Sequence, residues 1–301
     1  MRAVRFHRYG GPEVLQVEEL PTPQPGPGEV VVEVRAAGIN PGETAIRSGA
    51  TKDLFPATFP SGQGSDLAGV VSAVGPDATW SLGEEVMGWS WARSSQASHV
   101  LVPGDQLIPK PAGLSWEVAG SLYVAGVTAF AAVRAVDPQP GETVAVSAAA
   151  GGVGSLVVQL LTRRGAKVLG IAGPANADWL RTHGAEPVEY GEGLAERLEE
   201  DVPDAFIDLF GPDYVQLAVD LGIPKHRIET IISFALAAEL GVKAEGSEGA
   251  TTTGILGEIA ELVATGKLEV EIAASYPLEE VGAAFTELEH RHTRGKIVLL
   301  P

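Results

Sequence analysis

Residues 144–154 read Val144-Ala145-Val146-Ser147-Ala148-Ala149-Ala150-Gly151-Gly152-Val153-Gly154, and the stretch they open runs on to Gly173. Val144 and Val146 are β-branched and apolar, and Pro140-Gly141 marks where their strand begins. No side chain larger than alanine occurs from Ala148 until Val153, so a ligand can come close to this backbone. Leu156, Val157, Leu160 and Leu161 follow at helical spacing, Gly165 lies just past the helix, and Lys167–Ile171 reads as a second strand. A strand that enters a helix through such a turn presents backbone N–H groups at the positive end of the helix dipole, which suits a pyrophosphate. Ala149, Ala150, Gly151, Gly152 and Val153 are therefore candidate cofactor-binding residues.

Folds that bind NAD place Asp or Glu about 20 residues beyond the turn, where it accepts from the ribose 2′-hydroxyl. Here Ile171 is followed by Ala172-Gly173-Pro174-Ala175-Asn176, and the first acid is Asp178. No carboxylate stands at the strand tip to repel a 2′-phosphate, so the reading favours NADP(H), with Gly173 beside the ribose.

The rest of the chain sets the frame. It has 301 residues, enough for two domains, with 45% hydrophobic and 20% charged residues, as in ordinary globular proteins. A net charge of −18 opposes binding to nucleic acid or an anionic membrane. The absence of cysteine excludes disulfides, thiolate nucleophiles and cysteine-ligated metal. Met1–Phe6 alternates like a strand and lacks a signal-peptide core, and no apolar run is long enough to span a bilayer. A soluble, cytoplasmic protein is expected.

Residues 1–110 read as short strands punctuated by Gly and Pro: Glu29–Ala36, Val70–Gly75, Glu85–Gly88 and Ser98–Val102, with a short helix around Thr44–Ser48. This pattern predicts a small barrel-like domain. From Ser115 helices alternate with strands. One helix is expected from the Ser115 cap through Tyr123, another over Thr128–Val136, and strands at Pro187–Tyr190, Ala205–Leu209 and Ile228–Phe234. That alternation predicts an α/β, doubly wound parallel sheet. After a helix over Ile255–Thr265 come a strand at Glu269–Ile272, a helix at Leu278–Leu288 and a last strand, Lys296–Leu300, expected to rejoin the first domain.

In this order the motifs resemble the medium-chain dehydrogenase/reductase superfamily, and within it the zinc-free quinone oxidoreductase branch that includes zeta-crystallin. Ala36-Ala37-Gly38-Ile39-Asn40-Pro41 with Ile46-Arg47-Ser48-Gly49 is similar to that branch's active-site loop. Gly64-Ser65-Asp66-Leu67-Ala68-Gly69-Val70-Val71 is similar to its Gly-rich hairpin, residues 148–154 to its nucleotide turn, and His292–Leu300 to its C-terminal strand. The resemblance implies a GroES-like catalytic domain over 1–114, a Rossmann NADP-binding domain over 115–265 and a C-terminal return over 266–301, with NADPH in the cleft between the domains and a homodimer as the assembly. It places Tyr190, Asn176 and Arg181 near the adenosine 2′-phosphate, and Thr128 and Asn40 near the nicotinamide. Phe210, Gly211, Ser233 and Phe234 would line the cofactor, and Lys296 would approach it.

Zinc-dependent relatives carry cysteine in the loop and His-Glu in the hairpin, where this chain has Ile39-Asn40 and Ser65-Asp66. Both zinc sites are absent on this reading, and no metal is expected. Some quinone reductases carry tyrosine where this chain has Ala45. The activity implied is zinc-independent hydride transfer from NADPH to a small-molecule quinone or α,β-unsaturated carbonyl. Asn40 is expected to donate to the developing oxyanion, Arg47 to help with charge and Tyr9 to supply a hydroxyl. An enoyl reductase of secondary metabolism and a non-enzymatic NADPH-binding protein are the alternatives.

Overall fold

The structure is a computed structural model that describes residues 1–246 and 248–301. The chain divides into two compact units, residues 1–124 with 252–301, and residues 125–251. In chain order the first unit contributes β1 (Arg2–Phe6), β2 (Gln16–Glu19), β3 (Glu29–Gly38), α1 (Pro41–Ser48), β4 (Ser61–Gly62), β5 (Asp66–Val74), β6 (Glu85–Trp89), β7 (His99–Pro103), β8 (Leu107–Pro109) and α2 (Trp116–Ala119). The chain passes into the second unit through α3 (Leu122–Val136), then β9 (Thr143–Val146), α4 (Gly154–Arg163), β10 (Lys167–Ala172), α5 (Ala177–Thr182), β11 (Ala185–Glu189), α6 (Leu194–Glu199), β12 (Ala205–Asp208), α7 (Pro212–Asp220), β13 (Ile228–Thr230) and α8 (Phe234–Leu240). It returns with α9 (Thr253–Ala264), β14 (Ile272–Pro277), α10 (Val281–Glu289) and β15 (Lys296–Leu300).

The first unit is built on β3, a ten-residue strand that pairs antiparallel with β5, β7 and β15. Its sheet runs β14-β15-β3-β5-β6-β8, and a second, three-stranded sheet runs β2-β1-β4. Val30, Val32 and Val34 of β3 pack with Leu67, Val86, Val100 and Val102 in one core. A second core joins Val4 and Ile39 to Phe285 of α10 and to Ile297 and Leu299 of β15. The C-terminal strand thus rejoins the first sheet.

The second unit is a five-stranded parallel sheet in the order β11-β10-β9-β12-β13. The first strand in the chain lies centrally and the chain winds outward from it on both sides, the doubly wound Rossmann arrangement. All residues of β9 and β12 are buried, as strands covered on both faces must be. Gly154, which opens α4, must be glycine: a Cβ there would lie 2.2 Å from the Ala148 carbonyl oxygen.

Four boundaries differ from the sequence expectation. The helix capped by Ser115, whose Oγ accepts the Val118 N–H at 3.2 Å, stops at Gly120. A Cβ on Gly120 would stand 2.4 Å from the Ala36 carbonyl oxygen, so the backbone abuts β3 there and α3 starts afresh at Leu122, making Thr128 mid-helical. The strand expected to reach Phe234 ends at Thr230, because Thr230 Oγ1 accepts the N–H groups of Ile232 and Ser233 and turns the chain into α8. The strand expected at Glu269–Ile272 lies instead at Ile272–Pro277, where it pairs parallel with β15. The two compact units meet at 124/125 and 251/252, with α2 packed on β3 and β5, and α9 on β8.

Candidate functional site

Two buried polar hubs stand out, one in each unit, and each is organised by carboxylates. In the second unit Asp208 ends β12. Its Oδ1 accepts from Ser147 Oγ at 2.9 Å and from the N–H groups of Phe210 and Gly211 at 2.9 and 3.1 Å. Its Oδ2 accepts from Thr230 Oγ1 at 2.7 Å and Ser233 Oγ at 3.5 Å. Ser147 Oγ in turn accepts the Leu209 N–H at 2.8 Å. One carboxylate therefore ties together the carboxyl ends of β9, β12 and β13, the ends at which open α/β sheets bind ligands. Phe210, Gly211 and Ser233 are held by this network, and the Phe210 and Phe234 rings are partly exposed beside it.

The turn after β9 begins with Ala148 at φ +47°, a left-handed conformation unusual for a residue with a Cβ. The Ala149 N–H donates to the Ile171 carbonyl at 3.1 Å, and the Gly151 N–H to the Ala148 carbonyl at 2.9 Å. Ala149 and Ala150 are buried, while Gly151, Gly152 and Val153 are half-buried at the start of α4, where the Ser155 N–H donates to the Gly151 carbonyl and those of Leu156 and Val157 to the Val153 carbonyl. At the end of β10 the Tyr190 ring covers Gly173: a Cβ there would be 3.4 Å from Tyr190 Cε1. Tyr190 is 47% exposed. Asn176 closes the turn after Gly173, its N–H donating to the Gly173 carbonyl at 3.0 Å. Arg181 is exposed and pairs with Asp178 at 2.9 Å. Thr128 is buried within α3, away from any strand end in sequence.

The first unit's hub lies between β3, α1, β5 and β15. Asn40 precedes α1, and Glu43 Oε2 accepts its backbone N–H at 3.2 Å, the return half of a capping box. Oε2 also accepts from Gln96 Nε2 at 2.9 Å, and Oε1 accepts from the Ser65 N–H at 3.0 Å and Asn40 Nδ2 at 3.3 Å. Asn40 Nδ2 donates again to Asp66 Oδ2 at 2.9 Å, while Asn40 Oδ1 accepts from Lys296 Nζ at 2.5 Å. Lys296 Nζ also donates to the Ile39 carbonyl at 3.1 Å and lies 3.7 Å from Asp66 Oδ2. Asp66 Oδ1 accepts the Val124 N–H at 2.7 Å. Gly38 is required at this spot, for a Cβ would sit 2.8 Å from Asp66 Oδ2. Burial, then the charge of Asp66, pushes the Glu43 carboxyl up to about 7, against the Asn40 hydrogen bonds and Lys296.

Four residues expected at the reaction site or the cofactor are engaged within the first unit. Both N–H groups of the Asn40 amide are spent on carboxylates, so the donor expected for a substrate oxygen is already engaged. Arg47 is fully buried, ion-paired with Glu289, donating to the Gly10 carbonyl and lying over the Phe285 ring; it braces α1 against α10. Tyr9 is tied to the 57–59 segment, its hydroxyl oxygen accepting the Ala57 N–H at 3.2 Å and its ring edge-on to Phe59. Lys296, expected against the cofactor, is a member of the hub. Glu43, Gln96, Ser147, Asp208 and Thr230 carry no role in the sequence reading, and Asp66 enters it only as the residue standing where zinc-dependent relatives have a ligand; the signal available was an acid at the end of an apolar run, as in Ala205-Phe206-Ile207-Asp208.

Beside the hub, Trp89 is the register partner of Asp66, its ring stacked on Tyr123 at 4.8 Å between centroids. Trp91 meets Tyr123 edge-on at 6.5 Å and is 60% exposed. Among the described residues no three His, Asp or Glu side chains are grouped so as to hold a metal ion. A divalent cation at Asp66 would also have to sit beside the resident Lys296 ammonium, which the Coulomb repulsion of like charges opposes.

The fold and the sequence agree with what is known of other chains. Residues 26–112 match the alcohol dehydrogenase GroES-like domain, and residues 184–299 match a family described as zinc-binding dehydrogenase. The chain belongs to the medium-chain dehydrogenase/reductase superfamily, among its quinone oxidoreductases. It is 31% identical to the quinone oxidoreductase of Pseudomonas aeruginosa over 100% of this chain and 99% of that one. It is also 31% identical to quinone oxidoreductase 1 of Escherichia coli over 99% of both. The solved structure of E. coli quinone oxidoreductase complexed with NADPH superposes with a TM-score of 0.89 at 30% identity, covering both chains fully. That of the Coxiella burnetii quinone oxidoreductase has a TM-score of 0.90 at 30% identity, covering 100% and 99%.

Proposed function

We propose that this chain is a metal-independent oxidoreductase that uses NADPH to reduce a quinone or an α,β-unsaturated carbonyl. The observation that carries the reading is the first unit's hub, where Asn40 stands in the loop and Ser65-Asp66 in the hairpin at the positions that zinc chemistry would need, and the Lys296 ammonium of β15 sits against Asn40 and Asp66. Quinone oxidoreductases 31% identical over nearly the full length, and a quinone oxidoreductase of 30% identity solved with NADPH, support it.

The second unit supplies the nucleotide surface. The turn from Ala148 to Val153 offers backbone N–H groups to the pyrophosphate, and Tyr190 over Gly173 offers a hydroxyl to the 2′-phosphate where no carboxylate stands. Asn176 and Arg181 lie near enough in sequence to assist. Asp208 fixes the strand-end loops carrying Phe210, Gly211, Ser233 and Phe234, with Thr128 on the preceding helix. When bound, NADPH supplies hydride from its nicotinamide. The chain's part is to orient the reactants and exclude water. Asn40, locked between Lys296 and the two carboxylates, fixes the loop rather than donating to substrate. Trp91, exposed on the Trp89–Tyr123 stack, offers an apolar face to a planar acceptor. A conjugated acceptor spreads the incoming charge over its own π system, and solvent supplies the proton. Arg47 and Tyr9 support the loop, and a cytoplasmic homodimer is the proposed setting.

The test is NADPH consumption by the pure protein with a simple quinone and, separately, a 2-alkenal, each with an NADH control. Turnover with NADPH on either acceptor supports the reading. Faster use of NADH overturns the cofactor assignment, and retention of activity after exhaustive chelation separates this chemistry from zinc catalysis. NADPH binding without reduction of either acceptor removes this substrate class.

A further inference from the structure

Glu43 gathers more of the first unit than any other side chain in the hub. Its two oxygens accept four hydrogen bonds, from the backbone and the side chain of Asn40, from the Ser65 N–H and from Gln96 Nε2. The donors come from three separate places in the chain: the loop ahead of α1, the turn before β5 and the segment before β7. All four are N–H groups, so only an ionised carboxylate can satisfy them together. A proton on either oxygen turns an acceptor into a donor and sets O–H against N–H.

We propose that Glu43 is a positioning residue for the reaction, its carboxylate pinning the Asn40 loop to the Ser65 turn and its protonation releasing that clasp. The charged groups facing it are Asp66 of β5, which repels the carboxylate, and Lys296 of β15, which attracts it. Asn40, Ser65 and Gln96 face it as neutral donors. Arg47, one turn along α1, is engaged by Glu289 and by the Phe285 ring. One cation thus serves two buried carboxylates. Burial and Asp66 bring the Glu43 carboxyl up to about 7, so the exchange between clasped and released forms falls in the neutral range. The released form leaves an N–H of Ser65 or Gln96 without its acceptor, which is the physical reason the loop shifts rather than merely losing a charge.

The proposal rests on the oxidoreductase reading where turnover is the readout, and stands apart from it where unfolding is. Turnover and thermal unfolding are measured from pH 5.5 to 8.5 on the whole protein, for the wild type, Glu43→Gln, Glu43→Asp and Asp66→Asn. Wild-type kcat is expected to be about tenfold lower at pH 6 than at pH 8, with KM for the acceptor changing less, as for an ionisation centred near 7. Glu43→Gln, which cannot ionise, should lose that inflection in both kcat and the unfolding midpoint. Glu43→Asp should keep an inflection at a displaced pH. Asp66→Asn removes the like charge and should move the inflection to lower pH. An inflection unchanged in Glu43→Gln, or an Asp66→Asn profile that does not move, overturns the proposal. A Glu43→Gln kcat reduced by one factor at every pH, with the wild-type inflection kept, overturns it too, since that marks a merely structural carboxylate. If no acceptor is reduced by any form, the unfolding profiles decide the matter alone. If Glu43→Gln does not fold, the Asp66→Asn shift decides it.

Discussion

The two hubs solve one problem in opposite ways. Asp208 lies fully buried at the end of a Rossmann strand and is answered only by neutral donors: two backbone N–H groups, two serines and a threonine. In the other unit Glu43 and Asp66 share one ammonium and one carboxamide, and the charge of Asp66 raises the cost of ionising Glu43. Hydrogen bonds from neutral groups fix a loop at any pH at which the acid is ionised. A pair of carboxylates around one cation couples position to charge. The end proposed for the nucleotide is thereby built to hold still, and the hub of the GroES-like unit is built to respond.

The comparison breaks first at the cation. Lys296→Met leaves two buried carboxylates without a counter-ion and should destabilise the protein by roughly 3–5 kcal/mol at neutral pH. Asp208→Ala orphans two buried hydroxyls and two N–H groups, and part of that loss is recovered by water, so roughly 2–4 kcal/mol is expected. Urea denaturation at pH 8 and pH 5.5 separates them. Acid should rescue much of the Lys296→Met loss, because protonation removes the uncompensated charge, and should do nothing for Asp208→Ala. Equal pH responses in the two variants would erase the distinction between the hubs.

The pH dependence of the intact protein sharpens the same contrast. Glu43 and, in the second unit, Glu229 both have carboxyls raised to about 7, chiefly by burial. A raised carboxyl means that the folded state binds a proton that the unfolded chain has released, so stability must fall as pH climbs from about 4.5 to 7 and level off above. Each group is worth on the order of 1–3 kcal/mol across that window. Glu43→Gln should flatten its share of the slope, and Glu229→Gln the other. Glu229 lies on β13 but outside the Asp208 network, accepting the Glu245 N–H at 3.0 Å. The second unit's sensitivity therefore sits at its sheet edge and not at the strand ends proposed for the nucleotide. A double variant that keeps the full slope would sink both assignments.

At the adenosine corner the effect is smaller and selective. Tyr190→Ala removes the ring over Gly173 and the hydroxyl proposed for the 2′-phosphate. About a tenfold rise in Kd for NADPH is expected, near 1.4 kcal/mol, the worth of one hydrogen bond to a charged group. The Kd for NADH should change much less, and fluorescence titration with both nucleotides measures the ratio. Equal weakening of both would assign Tyr190 to adenine stacking.

How much of this was legible in the residues follows from distance along the chain. The βαβ unit at 144–172 is local: its strand, small-residue turn and helix are contiguous, and composition alone fixes what each segment can do. The clasp is not local. Asn40 and Lys296 are 256 residues apart, and Asn40 and Asp66 are 26 apart, so no spacing rule joins them. Asn40 looked like a free donor because an amide shows its chemistry in sequence but not whether that chemistry is already engaged. Ile231–Phe234 looked like more strand for a related reason. Its apolar run was plain, whereas the Thr230 hydroxyl that turns the chain acts only once Asp208 holds it. Gly120 hid its role as well, since the Ala36 carbonyl it abuts belongs to a distant strand.

The smallest effect tests how rigid the nucleotide end is. Ala148 sits at φ +47° at the head of the Gly-rich turn, where its Cβ crowds the backbone at a cost of about 1–2 kcal/mol. Glycine relieves that strain but adds freedom to the unfolded chain, worth roughly 0.5–1 kcal/mol in the opposite direction. Ala148→Gly should therefore raise stability by only about 0.5–1 kcal/mol, read from the urea midpoint at constant slope. NADPH affinity decides what the strain is for. The Ala149 N–H bond to Ile171 and the Asp208 network already hold the turn from both sides. If those restraints suffice, Kd stays within twofold and the strained alanine is incidental to binding. A severalfold weaker Kd with unchanged or higher stability would mean that the alanine itself preorganises the turn, and that the nucleotide end owes part of its stillness to a conformation that glycine would not keep.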